Sequence, residues 1–433
     1  MKTFKQHESQ VRSYIRSFPV IFQKAKGSTL YDEQGNEYID FFAGAGTLNY
    51  GHNNPLVSEA LIKYIQDDGI IHGLDKATTA KKIFLEKFYD IILHPRHMEY
   101  KIQFTGPTGT NAVETALKLV RMVKGRRNII AFTNAFHGLT MGSMAVTANA
   151  FYRDEAFINR TNVSFMPFDG YFGADVNTAD YLRRYLEDQS SGVDLPAAII
   201  LETIQAEGGI NVASDEWLRD IEQICKDFDI LLIVDDIQVG NGRSGSFFSF
   251  ESSGINPDII TLSKSIGGGL PLSMVLMKSE LDQWKPGEHT GTFRGNNLAF
   301  VASSELLSYW ENDNLSKAVK SKEKILKERL IEIKKKYPDL QAEVHGKGLI
   351  YGLKIPLRGF CSDVSEEAFS RGLLIELAGA EDNVLKFLSP LTIDSDLLKK
   401  GLDIIEDSIK AILEKRESMI EEMNNDSQNT GRD

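Results

Sequence analysis

The chain has 433 residues, room for two to four domains at roughly 100–200 residues each. With 42% hydrophobic and 25% charged residues, its balance is globular and excludes a disordered, collagen-like or repeat-dominated polymer. A formal charge of −12 disfavours non-specific binding of polyanions, so nucleic acid is not an expected partner.

Chain order begins with Met1–Glu8, which lacks the apolar core of a secretory signal, and no later stretch approaches the ~18 apolar residues of a membrane span. Neither export by that route nor a membrane partner is expected. The first clear element is a helix at Asn111–Lys124, where Ala112, Val113, Ala116, Leu119, Val120 and Val123 share a face and Gly125 closes the end. Asn111 with Glu114 three residues on resembles a capping arrangement. Short apolar runs rich in β-branched residues follow at Asn128–Phe132, Ala197–Leu201, Ile230–Val234, Asp258–Leu262 and Ser273–Met277. They alternate too little for a one-sided sheet and read as buried parallel strands, which predicts an α/β layered fold.

Beyond about residue 300 the character changes to long charged helices, Lys317–Lys336 and Leu397–Met423, around a strand-like Gly348–Leu353. A second, smaller domain is expected there. The lysines of Lys317–Lys336 read as a solvated face. The tail Asn424–Asp433 has no apolar residue and is expected to be disordered. Cys225 and Cys361 stand in no metal-like spacing, so no disulfide framework or zinc cluster is expected, and a reducing cytoplasm fits. His94 and His97 offer two imidazoles, but Pro95 breaks the helical spacing of a metal pair.

Three segments carry chemistry. Phe104–Glu114 is a Gly- and hydroxyl-rich turn running into a helix, where backbone N–H groups and the helix dipole favour an anion; an ordinary capped helix has the same composition. It matches neither the Walker pattern nor the dinucleotide fingerprint. Ile230–Gln238 is a buried strand ending in Asp235 and Asp236, beyond the carboxyl end where ligands of open α/β sheets bind. Such a carboxylate suits a protonated pyridine nitrogen, a metal or a helix cap. Asp258–Leu272 is a strand followed at once by Lys264 and three glycines, suited to a covalent lysine–carbonyl adduct; as a lone residue, Lys264 would read as a surface charge.

Taken together these pieces resemble the class III pyridoxal-phosphate aminotransferases of fold type I. The resemblance runs from Leu30 to Ile412 in order: LYDEQGNEYIDFFAGAGTLNYGHNNP (Leu30–Pro55), TGTNAVETALKLVR (Thr108–Arg121), AFHG (Ala135–Gly138), ETIQAEGG (Glu202–Gly209), LLIVDDIQVGNGRSG (Leu231–Gly245), SKSIGGGLP (Ser263–Pro271), GTFRGNN (Gly291–Asn297) and HGKGLIYGL (His345–Leu353). It implies a large domain with a mainly parallel central sheet at 56–300, a smaller α+β domain at 301–423 to which 1–55 contributes, and pyridoxal 5′-phosphate as cofactor. By position, Lys264 is expected to tether the cofactor and shuttle the proton, Asp235 to meet the pyridine nitrogen, and Gln238 the phenolic oxygen. Gly109 and Thr110 match the phosphate turn, and Phe136 the aromatic stacked on the ring, with His137 and Gly138 completing that motif. Thr292 matches a hydroxyl supplied by the neighbouring subunit, which implies a homodimer or higher oligomer with shared sites. Glu207 occupies the pocket glutamate position.

Within that family the wording of Gly44–Pro55, Asp236 in place of the usual glutamate, Trp284–His289 and Thr292–Val301 is closest to the ectoine-synthesis branch. The implied reaction moves the amino group of L-glutamate to L-aspartate 4-semialdehyde, giving L-2,4-diaminobutyrate and 2-oxoglutarate. Ornithine- and GABA-type members carry an arginine where this chain has Leu139, so another cation must meet the substrate carboxylate. Arg294 and Lys386 are the candidates, each also readable as a surface ion pair. The small residues around Gly44 are expected to shape the aldehyde end. Ornithine-, GABA- or lysine-type transamination and a non-catalytic cofactor-binding regulator are the alternatives.

Overall fold

The computed structural model describes residues 1–153 and 162–429, with side chains to Ser418. Seven strands form the central sheet: β1 (Tyr100–Phe104), β2 (Ile129–Phe132), β3 (Val163–Met166), β4 (Ala198–Leu201), β5 (Leu231–Asp235), β6 (Ile259–Leu262) and β7 (Met274–Lys278). Their spatial order is β1-β7-β6-β5-β4-β2-β3. The five strands read from sequence are all here, each within a residue of its expected bounds. The run at Ser273–Met277 is corrected in direction: β7 lies antiparallel to both β6 and β1. The remaining neighbours pair in parallel.

Both faces of this sheet are covered, which is why its strands read as continuous apolar runs. Ile130, Phe132, Ile199, Leu201, Leu232, Val234, Ile260 and Leu262 face one core, with the helix Asp215–Asp227 laid on them through Trp217, Leu218 and Ile221. The alternate residues, Ile129, Ala131, Ala198, Ile200, Leu231, Ile233 and Ile259, face the other, against the helix Gly109–Lys124. That helix starts two residues earlier than its hydrophobic pattern, and its cap is Thr108. Asn111 Oδ1 accepts from Thr108 N at 3.4 Å and from Thr108 Oγ1 at 2.8 Å. Asn111 is therefore the third helical residue and not the cap. Glu114, expected to close the cap, instead accepts from Thr140 Oγ1, Gly142 N and Ser143 N.

A further core joins residues from both ends of the chain, Ile39 and Phe41 with Leu326, Leu353, Leu385 and Ile405 among others. The N-terminal strands Phe22–Lys26, Thr29–Asp32 and Glu37–Asp40 form a sheet with Leu373–Leu374, where Leu373 pairs in parallel with Ile39. A separate four-stranded sheet orders Glu343–Lys347, Ile350–Lys354, Val384–Phe387 and Glu376–Ala378. The helix Asn297–Leu306 crosses position 300 and gives Phe300 to the first core and Ala302 and Leu306 to this one. The last helix is Ser395–Asn429, so helix continues through Asn424–Asn429, where a structureless tail was expected; each residue added to a formed helix gains a hydrogen bond without new nucleation. Residues 430–433 of that expected tail lie outside the described residues.

Phe84 anchors the first core. It is fully buried, stacks on Phe300 at 5.3 Å and tilts against Phe88 and Phe104 at 5.6 and 5.9 Å. Phe84→Ala is expected to destabilise the fold by about 3–5 kcal/mol, the loss for a large aromatic cavity; a denaturant midpoint little changed from the parent would show that the site collapses around the gap.

Candidate active site

Parallel strands bring their carboxyl ends to one edge of the sheet, and the chemistry-bearing residues gather there. Asp235 ends β5 and pairs across to Thr261 of β6. Lys264 follows β6 at once, opening a short turn at Lys264–Gly267. Its own φ is +51°, a left-handed conformation unusual for a residue with a side chain. Gly268 and Gly269 continue at positive φ, and a Cβ on Gly268 would lie 2.8 Å from Leu306 Cδ1. The glycine run lets the turn sit against the helix Asn297–Leu306.

Lys264 Nζ donates to the Ala45 carbonyl at 2.9 Å, and among the described residues it forms no ion pair with a carboxylate. Burial pulls its ammonium below the ordinary lysine range, opposed by the charge of Glu207. The Ala45 carbonyl also accepts from Gln238 Nε2 at 2.9 Å. Gln238 Nε2 reaches Glu207 Oε1 at 3.0 Å, and Lys386 Nζ reaches the same oxygen at 2.8 Å. Burial alone would raise the Glu207 carboxyl, but Lys386 and then Lys264 outweigh it and hold it at about 2. Lys386 is fully buried. Burial works against its charge, yet Glu207 and Glu376 together raise it above the ordinary lysine range.

Asp235 is buried and fully bonded on its outer side. Its Oδ1 accepts from Ile237 N at 3.2 Å and Thr261 Oγ1 at 3.1 Å, and its Oδ2 lies 2.7 Å from His137 Nδ1. His137 thus stands against the carboxylate, and among the described residues its buried Nε2 has no hydrogen-bond partner. Phe136, half-buried, meets Tyr152 edge-on at 5.6 Å. Thr110 Oγ1 meets Thr140 Oγ1 at 2.6 Å and also Ser143 Oγ, a hydroxyl cluster at the start of the Gly109–Lys124 helix. Gly138 has φ +117°, and a Cβ there would lie 2.7 Å from Thr110.

Thr292 and Arg294 are not gathered with these groups. Thr292 and Phe293 are exposed, Phe293 lies 5.4 Å from the His72 ring, and Arg294 pairs with Asp75 at 3.5 Å. Gly44 lies in a left-handed loop whose next residue supplies the Ala45 carbonyl. Sequence reasoning missed three contributors. Glu202 Oε2 accepts from Phe136 N at 3.0 Å, and burial, then the charge of Asp235, raises its carboxyl well above the usual range. Glu376 and Tyr14 join through Lys386, as described below. Glu202 opens the quoted ETIQAEGG motif, the one available signal; Tyr14 and Glu376 lie in no such motif.

A cavity of about 710 Å³ has Phe136, Tyr152, Glu207, Tyr14 and Glu376 in its wall, and Lys264 does not line it. The residues present fit pyridoxal 5′-phosphate: an amine with no acid partner among the described residues, a buried carboxylate on the neighbouring strand end, and a hydroxyl-rich helix start where Gly138 leaves room beside Thr110.

Over residues 11–409 the chain matches the family described as aminotransferase class-III. It is 70% identical to a diaminobutyrate–2-oxoglutarate transaminase of Wolinella succinogenes, across 98% of this chain and 99% of that one. It is 57% identical to the protein of the same name from Halalkalibacterium halodurans, across 97% and 99%. Among solved structures it is similar to the ornithine aminotransferase of Toxoplasma gondii, at 25% identity and a TM-score of 0.82 over 96% and 94% of the two chains; that active site holds PLP at partial occupancy. An aminotransferase of Bacillus anthracis superposes with a TM-score of 0.84 at 26% identity, over 95% and 97%.

Beside Asp235, Asp236 is fully buried, and among the described residues its Oδ1 has no hydrogen-bond partner. Burial raises its carboxyl from the ordinary 3.8 to about 7, against the Ser249 hydrogen bonds. Between those values the folded chain keeps a proton that the unfolded chain releases, so stability falls as pH rises through this window and levels off above it. Asp236→Asn is expected to flatten that decline, read as denaturant midpoints at about pH 5 and about pH 8. Parallel profiles for variant and parent would contradict it.

Proposed function

The chain belongs to the class-III aminotransferases, a pyridoxal-phosphate-dependent family, and on that footing we propose that it transfers the amino group of L-glutamate to L-aspartate 4-semialdehyde, giving L-2,4-diaminobutyrate and 2-oxoglutarate. The chemistry is carried by one observation, a strand-end lysine amine kept clear of every described carboxylate although acids surround it. Substrate choice is supported by the near-full-length similarity to proteins named diaminobutyrate–2-oxoglutarate transaminase. Leu139 agrees with it, since an arginine there would mark the ornithine and GABA branches.

When bound, pyridoxal phosphate supplies an aldehyde to take up the amine and a pyridine ring to accept an electron pair. In this reading Lys264 Nζ would hold the cofactor covalently and, once freed by the donor amine, would move the proton between the substrate's amine-bearing carbon and the cofactor's former aldehyde carbon. Its lowered basicity keeps a share of the amine neutral, the form that both attacks and accepts a proton. Asp235, fixed by His137, Ile237 N and Thr261, would hold a proton at the ring nitrogen. Thr110 and the N–H groups of the helix start would bind the phosphate, Phe136 would cover the ring, and Gln238 would meet the phenolic oxygen. Lys386, through its pair with Glu207, would set the charge that the substrate's carboxylate end meets.

The reading also takes two copies of the chain. Ile62, Ile65, Ile70, Ile71 and Leu74 are each more than half exposed, and Phe293 is 68% exposed, on the face that carries Thr292 and Arg294. Several large apolar side chains left this exposed mark a candidate interaction surface. A second copy over it would bring Thr292 to its partner's phosphate turn. Among the described residues no helix is long and apolar enough to cross a membrane, and both cysteines are free and buried, in keeping with a reducing compartment.

Two experiments test this. Purified holoprotein is expected to form 2-oxoglutarate from L-glutamate in catalytic amounts, beyond what its bound cofactor alone can convert, only when L-aspartate 4-semialdehyde is supplied, with diaminobutyrate then appearing in equal amount; Lys264→Ala is expected to lose the visible cofactor band and at least about a thousandfold in turnover. Turnover that survives in Lys264→Ala would sink the assignment. Sedimentation is expected to show a dimer or larger species, and Ile65→Asp to shift it towards monomer with loss of activity; a parent protein that sediments as an active monomer would refute the shared site.

A further inference from the structure

The polar chain leading away from Lys264 does not stop at Lys386. Strand Glu376–Ala378 pairs antiparallel with Val384–Phe387, and Glu376 stands directly opposite Lys386, an opposite-charge cross-strand pair. Glu376 is only 7% exposed. Its Oε1 accepts from Tyr14 OH at 2.6 Å, which fixes the carboxylate's orientation from the N-terminal segment. Its Oε2 pairs with Lys386 Nζ at 2.8 Å and, among the described residues, has no other polar partner. Lys386 thus faces two carboxylates, and the trio carries one formal negative charge in excess. The adjoining cavity of about 710 Å³ is lined by Glu207, Glu366, Glu376 and Asp382 and, among the described residues, by no lysine or arginine.

The proposed substrates pose a problem that this wall answers. In glutamate the far carboxylate carbon is three bonds from the reacting carbon, and the same holds in aspartate 4-semialdehyde counted from its aldehyde. The chains differ in between: the semialdehyde and its diamino product carry an ammonium on the carbon that stands two bonds from the reacting carbon, where glutamate has a methylene. A second ammonium entering a desolvated cavity needs an anionic acceptor. One such cation brings the Glu207, Lys386 and Glu376 trio to charge balance. Glu207 Oε1 is already shared by Gln238 and Lys386, whereas Glu376 Oε2 is met by Lys386 alone among the described residues.

We propose that Glu376 is a specificity-determining residue, its carboxylate receiving the non-reacting ammonium of the four-carbon diamino acid while Tyr14 holds it in place. This deepens the function proposed above and rests on it.

The test uses holoenzyme with 2-oxoglutarate as acceptor and three amino donors. These are L-2,4-diaminobutyrate, 4-aminobutyrate, which lacks the second ammonium, and 4-amino-2-hydroxybutyrate, which has a hydroxyl in its place. For the parent, kcat/KM for diaminobutyrate is expected to exceed that for either analogue by about ten- to a hundredfold, the worth of one charge-assisted contact. Glu376→Gln is expected to collapse that ratio, because the analogues make no such contact to lose. Tyr14→Phe keeps the carboxylate and is expected to retain most of the ratio. The proposal is overturned by an unchanged ratio in Glu376→Gln, by an equal collapse in Tyr14→Phe, or by a parent enzyme that takes all three donors alike. If Glu376→Gln does not fold, the donor series on the parent still decides. A parent that uses none of the three donors would remove the proposed function itself, whereas equal use of all three removes only this inference.

Discussion

Two lysines of the site, Lys264 and Lys386, are pulled in opposite directions by burial and charge, and Glu207 lies between them. Burial disfavours the ammonium form of both. Lys386 is compensated, with carboxylate oxygens of Glu207 and Glu376 each at 2.8 Å, and so stays charged. Lys264 touches a backbone carbonyl and no carboxylate among the described residues; the fields of Glu207, Glu376 and Asp235 do not make up for its burial, and its basicity falls. One acid therefore serves two purposes without touching Lys264. A direct pair with Lys264 would fix its proton and leave it useless as a nucleophile. Lys386, by taking Glu207 for itself, prevents that pair. Removing either partner of the buried pair would strand a charge, which is why such pairs matter more for arrangement than for stability.

How much of this was legible in the chain follows from which forces are local. The runs at Ile230–Val234 and Asp258–Leu262 showed as strands because both sheet faces are buried and nothing polar interrupts them. β1, YKIQF, escaped notice because it lies at a sheet edge with Lys101 exposed, and β3, the opposite edge, has only Met166 fully buried. The antiparallel direction of β7 has no compositional mark, since a doubly covered strand reads alike either way. Asp235 and Lys264 could be placed beyond strand ends because each directly follows such a run. Glu376 and Tyr14 could not. Their meeting depends on the register that sets Glu376 opposite Lys386 and on a hydrogen bond spanning 362 positions of sequence. Thr292 and Arg294 were legible only as pieces of a motif, and within one chain they face solvent and Asp75.

The Ala45 carbonyl, which accepts from both Lys264 and Gln238, is presented by an unusual stretch of backbone. Ala43, Gly44, Ala45 and Gly46 all have positive φ, from +48° to +84°. Two of these are alanines, and each residue held so lies about 1–3 kcal/mol above its relaxed state. Asp40 Oδ1 opposes relaxation by accepting from Phe42 N at 2.8 Å and Ala43 N at 2.7 Å. On the far side Asn49 is fixed by Arg243, a fully buried guanidinium that burial pushes down to about 9 and that spends its donors on Asn49 Oδ1 and the carbonyls of Leu349 and Ser389. Asn49 Nδ2 in turn reaches Ser265 Oγ at 3.2 Å, one residue from Lys264, whose own φ is also positive. The strained loop and the strained lysine are thus braced through the same asparagine. Relaxing either would withdraw the carbonyl that now holds the amine, and Lys264 would be free to turn towards the acids that its chemistry requires it to avoid.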